Sequence, residues 1–378
     1  MDFELPPQLQ ELRARAREFA ETHLRPNAAR WDERQEFPTE AIAKLRGTPF
    51  LSMTIAKEYG GAQLGNLASC VVLEEFNRCC PSTGVTVSVH NSLMNSPLGK
   101  WGSPQQRQKY LPRLASGEWI GAYCLSEAGA GSDAAALRCA AKKKGDRWVL
   151  DGPKLWITTG EKADLFVVFA RTGEHRTKGI SAFLVERRFP GVRAGKKEDK
   201  LGIRGSCTNE VLLENCEVPA ENMLGEEGQG FPIALDTLDG GRLGIASQAL
   251  GITRAALEDS LEFVKTRTVD GKPMSEHQAF LWKLADIATA LDASRMLTWR
   301  AAHLRDRGER CSTQAAMAKL LASRTCDEAT REAVQIHGLE GCTAAHRVER
   351  YLRDARITEI YEGVTDIQRL VIARGILA

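Results

Sequence analysis

The chain has 378 residues, 43% hydrophobic and 26% charged, with 51 Lys and Arg against 49 Asp and Glu. This near-average composition excludes disordered, collagen-like and low-complexity scaffolds, and a net charge of +2 excludes the clustered basic excess of a dedicated nucleic-acid binder. The longest clean apolar run, Leu165–Ala170, falls far short of the roughly 20 residues that a membrane span needs.

Residues 1–118 read as a helical domain: Leu9, Leu12, Ala16, Phe19 and Ala20 recur at helical spacing, and Val71–Leu73 followed by Glu74–Glu75 starts another amphipathic stretch. The interleaved Arg and Glu of this region read as solvated helix faces. Residues 119–230 change period to short strands rich in β-branched and aromatic residues: Arg147–Leu150, Lys154–Thr158, Leu165–Ala170, Ile180–Val185 and Val211–Leu213. Asp151–Gly152 predicts a tight hairpin between the first two, and the whole reads as a small antiparallel β-barrel or sandwich. Residues 231–378 return to helices, with stripes at Leu250, Leu257, Leu261 and Val264, at Phe280, Leu284, Ile287 and Leu291, and further helices near Met317–Leu321 and Val348–Leu352. Four such helices predict a bundle. The fold class is therefore α+β and multi-domain.

Ten cysteines form no C-x-x-C pair, and the start Met1-Asp2-Phe3-Glu4 is acidic with no apolar signal region. Free thiols in a reducing, cytoplasmic compartment are expected.

Phosphate-loop, zincin and nucleophile-elbow motifs are absent, and seven scattered His residues give no metal pair. No metal is expected. Leu125–Asp133 is rich in Gly and hydroxyls, which suits backbone approach to an anionic ligand and suits an ordinary loop equally. Trp156–Thr158 is ambiguous in the same way, since a strand Trp usually belongs to the core. Glu362, between an aromatic residue and Gly363 at a break between helices, reads either as a solvated loop carboxylate or as a general base raised in pKa by an apolar cleft. The residues alone leave both readings open.

Several long motifs, in order, resemble the acyl-CoA dehydrogenase family over essentially the whole chain. Ala122–Glu127 with Gly131–Asp133 is similar to its first signature, and Tyr361–Gly363 with Ile367–Arg369 to its second. Lys200–Ser206 and Gly244–Gly251 are similar to the short-chain, butyryl-type branch. The resemblance implies a helical domain, a middle β domain and a four-helix bundle. It implies FAD-dependent α,β-dehydrogenation of a short- or branched-chain acyl-CoA, with electrons passed to an electron-transferring flavoprotein and assembly as a homotetramer, a dimer of dimers. By this match Glu362 is the α-proton base; the alternative position used by other branches is Gly241, which cannot act as one. Tyr123, Leu125, Ser126, Trp156 and Thr158 match residues lining the flavin. Arg267, Gln278, Gln335, Gly338, Thr365 and Asp366 match other cofactor contacts, of which Arg267 and Gln278 reach the pyrophosphate and adenine end across a dimer interface, where Arg267 and Gln335 serve the neighbouring subunit's FAD. Ser132, Asp239, Arg242 and Gly363 match substrate contacts.

Three positions depart from the pattern: Asp270 stands where the family has an aromatic, Leu339 where it has Gly, and Val364 where it has Thr. All three are expected at one end of the cofactor site. A carboxylate near a pyrophosphate repels it and a side chain in place of Gly blocks backbone approach, so weak FAD retention is expected. Two other outcomes share the scaffold: a dehydrogenase of a cyclic, aromatic or dicarboxylic CoA thioester, and a flavin-poor acyl-CoA-binding or non-redox protein.

Overall fold

A computed structural model describes residues 4–378; the start Met1-Asp2-Phe3 lies outside them. Seven helices open the chain: α1 (Pro7–Phe19), α2 (Ala28–Glu33), α3 (Thr39–Leu45), α4 (Gly65–Cys79), α5 (Pro81–Val89), α6 (Ser96–Trp101) and α7 (Pro104–Ser116). The stripe expected on α1 buries Leu12 and Ala16 against Phe76 of α4 and Trp31 of α2. α4 departs from the expected solvated face. It lies between α1 and the later helices, so Glu74 and Glu75 are buried. Both are paired: Glu75 accepts from Arg17 at 3.2 Å and Arg254 at 2.8 Å, and Glu74 from Arg295 at 2.8 Å. Charges taken out of water must find such partners.

Eight strands follow: β1 (Gly121–Cys124), β2 (Ala140–Lys144), β3 (Arg147–Thr158), β4 (Leu165–Arg171), β5 (Ile180–Glu186), β6 (Val192–Lys197), β7 (Thr208–Pro219) and β8 (Met223–Leu224). They form one sheet in the order β6-β7-β3-β2-β4-β5-β8, with β1 also on β4. The pairing is largely antiparallel, but β1 runs parallel to β4, and β2 meets β4 in parallel at Ala140. Leu165–Ala170 is a continuous apolar run because β4 is covered on both faces. Leu165, Val167 and Phe169 face the helices around Leu93 and Leu111, whereas Phe166, Val168 and Ala170 face Trp148 and Phe183.

No hairpin forms at Asp151–Gly152. β3 runs straight through it, and Gly152, at φ +137°, carries a bulge whose Cβ would sit 2.9 Å from the Cys139 backbone. The turn falls instead at Gly145–Asp146, between the paired Lys144 and Arg147.

The C-terminal region holds α8 (Gly230–Thr266), a short ribbon of β9 (Thr268–Val269) and β10 (Lys272–Pro273), then α9 (Gln278–Asp306), α10 (Ser312–His337), α11 (Val348–Arg356) and α12 (Thr365–Leu377). α10 packs on α8, α9, α11 and α12, around a core of small residues such as Ala246, Ala249, Ala318 and Ala322. All ten cysteines are free thiols, and only Cys342 is exposed. Among the described residues no helix is long and apolar enough to cross a membrane, and no cluster of His, Cys, Asp or Glu is placed to hold a metal.

Candidate active site

The break between α11 and α12 is sharply bent. Glu362 takes φ +52° and Gly363 φ +100°. Gly363 accepts this without steric cost, and a Cβ there would lie 2.5 Å from Gln368 Nε2. A left-handed Glu costs roughly 1–2 kcal/mol, so its surroundings must hold it. They do so from three sides. The Gly363 carbonyl accepts from Lys319 Nζ at 2.7 Å and Gln368 Nε2 at 2.7 Å. The Tyr361 hydroxyl donates to Gln248 Oε1 on α8. The Glu362 carboxylate packs against Gly241, where a Cβ would fall 2.0 Å from Oε2.

Glu362 is half-buried as a residue, but its Oε2 is enclosed and has no hydrogen-bond partner. Burial pushes its carboxyl up to about 7, against the opposing pull of Lys319 and Arg242. The same burial pulls the Lys319 ammonium down to about 8 and raises the Tyr123 phenol, which also feels the Glu362 charge. Tyr123 Oη is likewise buried without a partner. Arg242 and Asp239 stand nearby on α8, joined at 2.5 Å, with Asp239 also accepting from Ser312 at 2.5 Å. Among the described residues the Glu362 backbone N–H donates to no group of the chain.

A second set gathers on the sheet. The Leu155 N–H donates to Ser126 O at 2.9 Å, and the buried Lys154 ammonium reaches Leu125 O at 3.3 Å and Glu127 Oε1 at 2.7 Å. These bonds strap Leu125–Glu127 to β3. A register shift between Lys154 and Ile157 then turns Trp156 outward at φ +61°. A left-handed Trp is a backbone outlier, and this one leaves the residue 61% exposed. Thr158 is half-buried next to it, and the Thr159 hydroxyl is buried without a partner. An outward aromatic face, an adjacent threonine pair and orphaned hydroxyls suit a planar, hydrogen-bonding group, and the residues present fit the isoalloxazine of FAD. Ser132 is exposed between β1 and β2, beyond Leu125–Glu127, beside an Asp133–Arg176 ion pair of 2.7 Å.

The remaining expected residues lie elsewhere. Arg267 follows α8 some 25 residues beyond Arg242, about 37 Å along a helix rising about 1.5 Å per residue. Gln278 and Gln335 are exposed in this same distal part, with Gly338 beyond the end of α10. Arg267 is not free: it donates to Glu340 Oε2 at 2.6 Å, and His346 Nε2 also lies 2.9 Å from that oxygen. Glu340 was not among the expected residues, although it stands inside the altered Gly338–Gly341 stretch. Asp270 occupies the turn between β9 and β10 at φ +50°, followed by Gly271 at φ +76°. An Asp-Gly pair is what such a tight turn favours, which explains the acid where the family has an aromatic. Leu339 is 86% exposed.

Val364 lies apart from the other two departures within a single chain. It is the N-cap of α12, beside Glu362, and within one chain it lies roughly 27 Å from Leu339, the span of α10 from Lys319 to His337. Thr365 turns its hydroxyl to Glu359 O at 3.3 Å, and Asp366 pairs with Arg369 at 2.6 Å on the surface. Sequence reasoning missed Lys319, Gln368 and Gln248. Lys319 carried one signal, a lone cation within the apolar run Ala315–Ala322.

Known proteins match this arrangement over its full length. Residues 6–118, 122–216 and 228–377 match the N-terminal, middle and C-terminal domains of acyl-CoA dehydrogenases. The mitochondrial short-chain specific acyl-CoA dehydrogenase of Mus musculus is 49% identical over 99% of this chain and 91% of its own. The structure of butyryl-CoA dehydrogenase from Megasphaera elsdenii is 39% identical with a TM-score of 0.98, covering all of both chains. A chain in the structure described as the electron transferring flavoprotein of Acidaminococcus fermentans is 43% identical, also with a TM-score of 0.98 and full coverage of both. With three domains matched in order and near-complete overlap with these relatives, the chain belongs to the acyl-CoA dehydrogenase family.

Proposed function

We propose that the chain is an FAD-dependent dehydrogenase that converts a short- or branched-chain acyl-CoA to the trans-2-enoyl-CoA, with Glu362 as the base for the α proton. One observation carries the reading: a strained carboxylate, enclosed against Gly241, with an unpartnered oxygen and a pKa raised to about 7. A base works best when its pKa lies near the working pH. The names of the mouse and Megasphaera relatives support the short-chain class.

The α C–H of a thioester is only weakly acidic, so the carbonyl oxygen needs donors as enolate charge develops. The free N–H of Glu362 is a donor attached to the base itself. Arg242, paired to Asp239, offers a polar anchor for the CoA arm, and the exposed Ser132 a further one. Tyr123, Leu125, Ser126, Trp156 and Thr158 would line the flavin, with Thr365 and Asp366 near the catalytic turn. Arg267, Gln278, Gln335 and Gly338 would meet the cofactor of a second copy, which their distance along α8 and α10 favours. Bound FAD supplies the oxidant that accepts the β hydrogen as hydride. The enclosed Oε2 keeps the base away from water while it holds the proton. The flavoprotein named in the Acidaminococcus structure supports an electron-transferring flavoprotein as the next acceptor.

Glu362→Gln tests the assignment. It keeps the volume and the backbone donor but cannot take a proton. Turnover of butyryl-CoA should fall by about 10²- to 10⁴-fold or more, with binding changed only a few-fold. In the wild type, kcat/KM should fall about tenfold per unit below a pH of about 7, because only the ionised carboxylate accepts the proton. Near-normal turnover of the variant would place the base elsewhere.

A further inference from the structure

Lys319 is fully buried on α10, and among the described residues no carboxylate lies within ion-pair distance of its Nζ. An ammonium that surrenders its hydration normally takes a carboxylate in exchange. Its bond goes instead to the Gly363 carbonyl, which the equally buried Gln368 amide also holds, each at 2.7 Å. That carbonyl belongs to the residue after Glu362, the second of two successive residues with left-handed φ. The clamp therefore acts on the backbone that aims the carboxylate.

The charges around Glu362 can be taken element by element. α8 contributes Arg242, neutralised by Asp239 at 2.5 Å. β1 contributes Tyr123, whose phenol stays protonated. The segment of Glu362 itself contributes Tyr361, bonded to Gln248, and Glu359, which faces Lys319 and pairs with Arg356 at 2.5 Å. α10 contributes Lys319, the one cation of this group without a carboxylate in contact. Its charge and that of Glu362 each oppose the shift that burial imposes on the other.

We propose that Lys319 is a positioning residue for proton abstraction: with Gln368 it clamps the Gly363 carbonyl, fixing the Glu362–Gly363 bend, and its charge keeps the Glu362 carboxylate ionised. This rests on Glu362 being the base. Removing the charge raises the pH at which Glu362 gains its proton; removing the bond loosens the aim.

The test measures exchange of the α hydrogens of butyryl-CoA for deuterium in D2O. The holoenzyme is used anaerobically without an electron acceptor, and the recovered thioester is read by mass spectrometry across pH. Lys319→Gln keeps a donor but no charge; its acid limb should move up by about 1 pH unit or more, with a plateau within a few-fold of wild type. Lys319→Met lacks both; its limb should move likewise and its plateau fall by about tenfold or more. Lys319→Arg, which restores charge, should return the limb. Limbs of Lys319→Gln and Lys319→Met that coincide with wild type overturn the charge role, and equal plateaus for these two variants overturn the clamp. If Lys319→Met does not fold, the limb of Lys319→Gln decides the charge role and the plateau of Gln368→Leu, which removes the other donor, decides the clamp. Glu362→Gln is the control: exchange that persists there overturns the base assignment, whereas exchange lost there with unshifted Lys319 variants overturns only the role of Lys319.

Discussion

Gly241 separates catalytic geometry from stability in a single substitution. It lies within α8 with helical backbone, and its missing Cβ is the space the Glu362 carboxylate occupies. In Gly241→Ala the new methyl would stand 2.0 Å from Oε2, 3.0 Å from the carboxyl carbon and 3.0 Å from Leu93 Cδ2, against an ordinary contact of 3.4 Å. The end of the Glu362 side chain can move, so the fold survives by displacing the carboxylate by more than an ångström. A displacement of about 1 Å costs about 10²-fold in rate. The helix meanwhile gains about 1 kcal/mol from replacing an interior Gly by Ala, offsetting much of the crowding.

The expected result is turnover of butyryl-CoA down by about 10²-fold with the unfolding temperature within a few degrees of wild type. Gly240→Ala is the matched control. Its Cβ would meet nothing closer than Arg305 Nη2 at 3.4 Å, so it takes the same helical gain without touching the carboxylate and should keep its activity. Turnover and thermal unfolding are measured on both variants at equal FAD content. If Gly241→Ala turns over as fast as Gly240→Ala, the carboxylate does not work from the place where it packs, and the reasoning from its position fails.

Two further outcomes follow from the distal residues. Glu340 competes with any phosphate for Arg267, and a half-exposed pair of this kind is worth up to about 1 kcal/mol, so Glu340→Gln should tighten FAD up to about fivefold. Dissociation followed by flavin fluorescence that is unchanged in the variant would remove Glu340 as a competitor. Asp270→Asn is the matching change for the turn, because it removes charge while tolerating the left-handed backbone that an aromatic would strain. If Arg267 and Gln335 serve the cofactor of a second copy, as proposed, sedimentation should show an oligomer of the 41.6 kDa chain, expected from the family resemblance as a dimer of dimers; a monomer at micromolar concentration would overturn that assignment.

Periodicity exposed most of the fold because helix stripes and buried strands are written locally. The α9 stripe buries Leu284, Ile287 and Leu291 with Phe280 half-buried, the α8 stripe holds at Leu250 and Val264 but leaves Leu261 exposed, and the unbroken run of β4 reflects a strand covered on both faces. Asp151–Gly152 misled because a glycine that closes a turn and one that carries a bulge have the same sequence; only pairing with β2 and β7 distinguishes them. Glu74–Glu75 misled for a different reason. Whether a carboxylate faces water depends on what packs over α4, and its partners Arg254 and Arg295 are about 180 and 221 residues away.

The same limit explains why the base role proposed for Glu362 came from a resemblance and not from its own surroundings. Its chemistry is assembled from positions with no shared local pattern: a missing Cβ on α8, a lysine on α10, a glutamine on α12 and a tyrosine hydroxyl bonded back to α8. Each supplies a separate requirement. Gly241 supplies room, Gln248 and Gln368 hold the turn on either side, and Lys319 supplies a charge that opposes the upward push of burial on the carboxyl. The left-handed conformation of Glu362 costs roughly 1–2 kcal/mol, about the net worth of one or two hydrogen bonds. Three such bonds converge on Tyr361 and Gly363, so losing one leaves the bend populated but less sharply aimed. Substitutions in this ring should therefore reduce rate before they reduce stability.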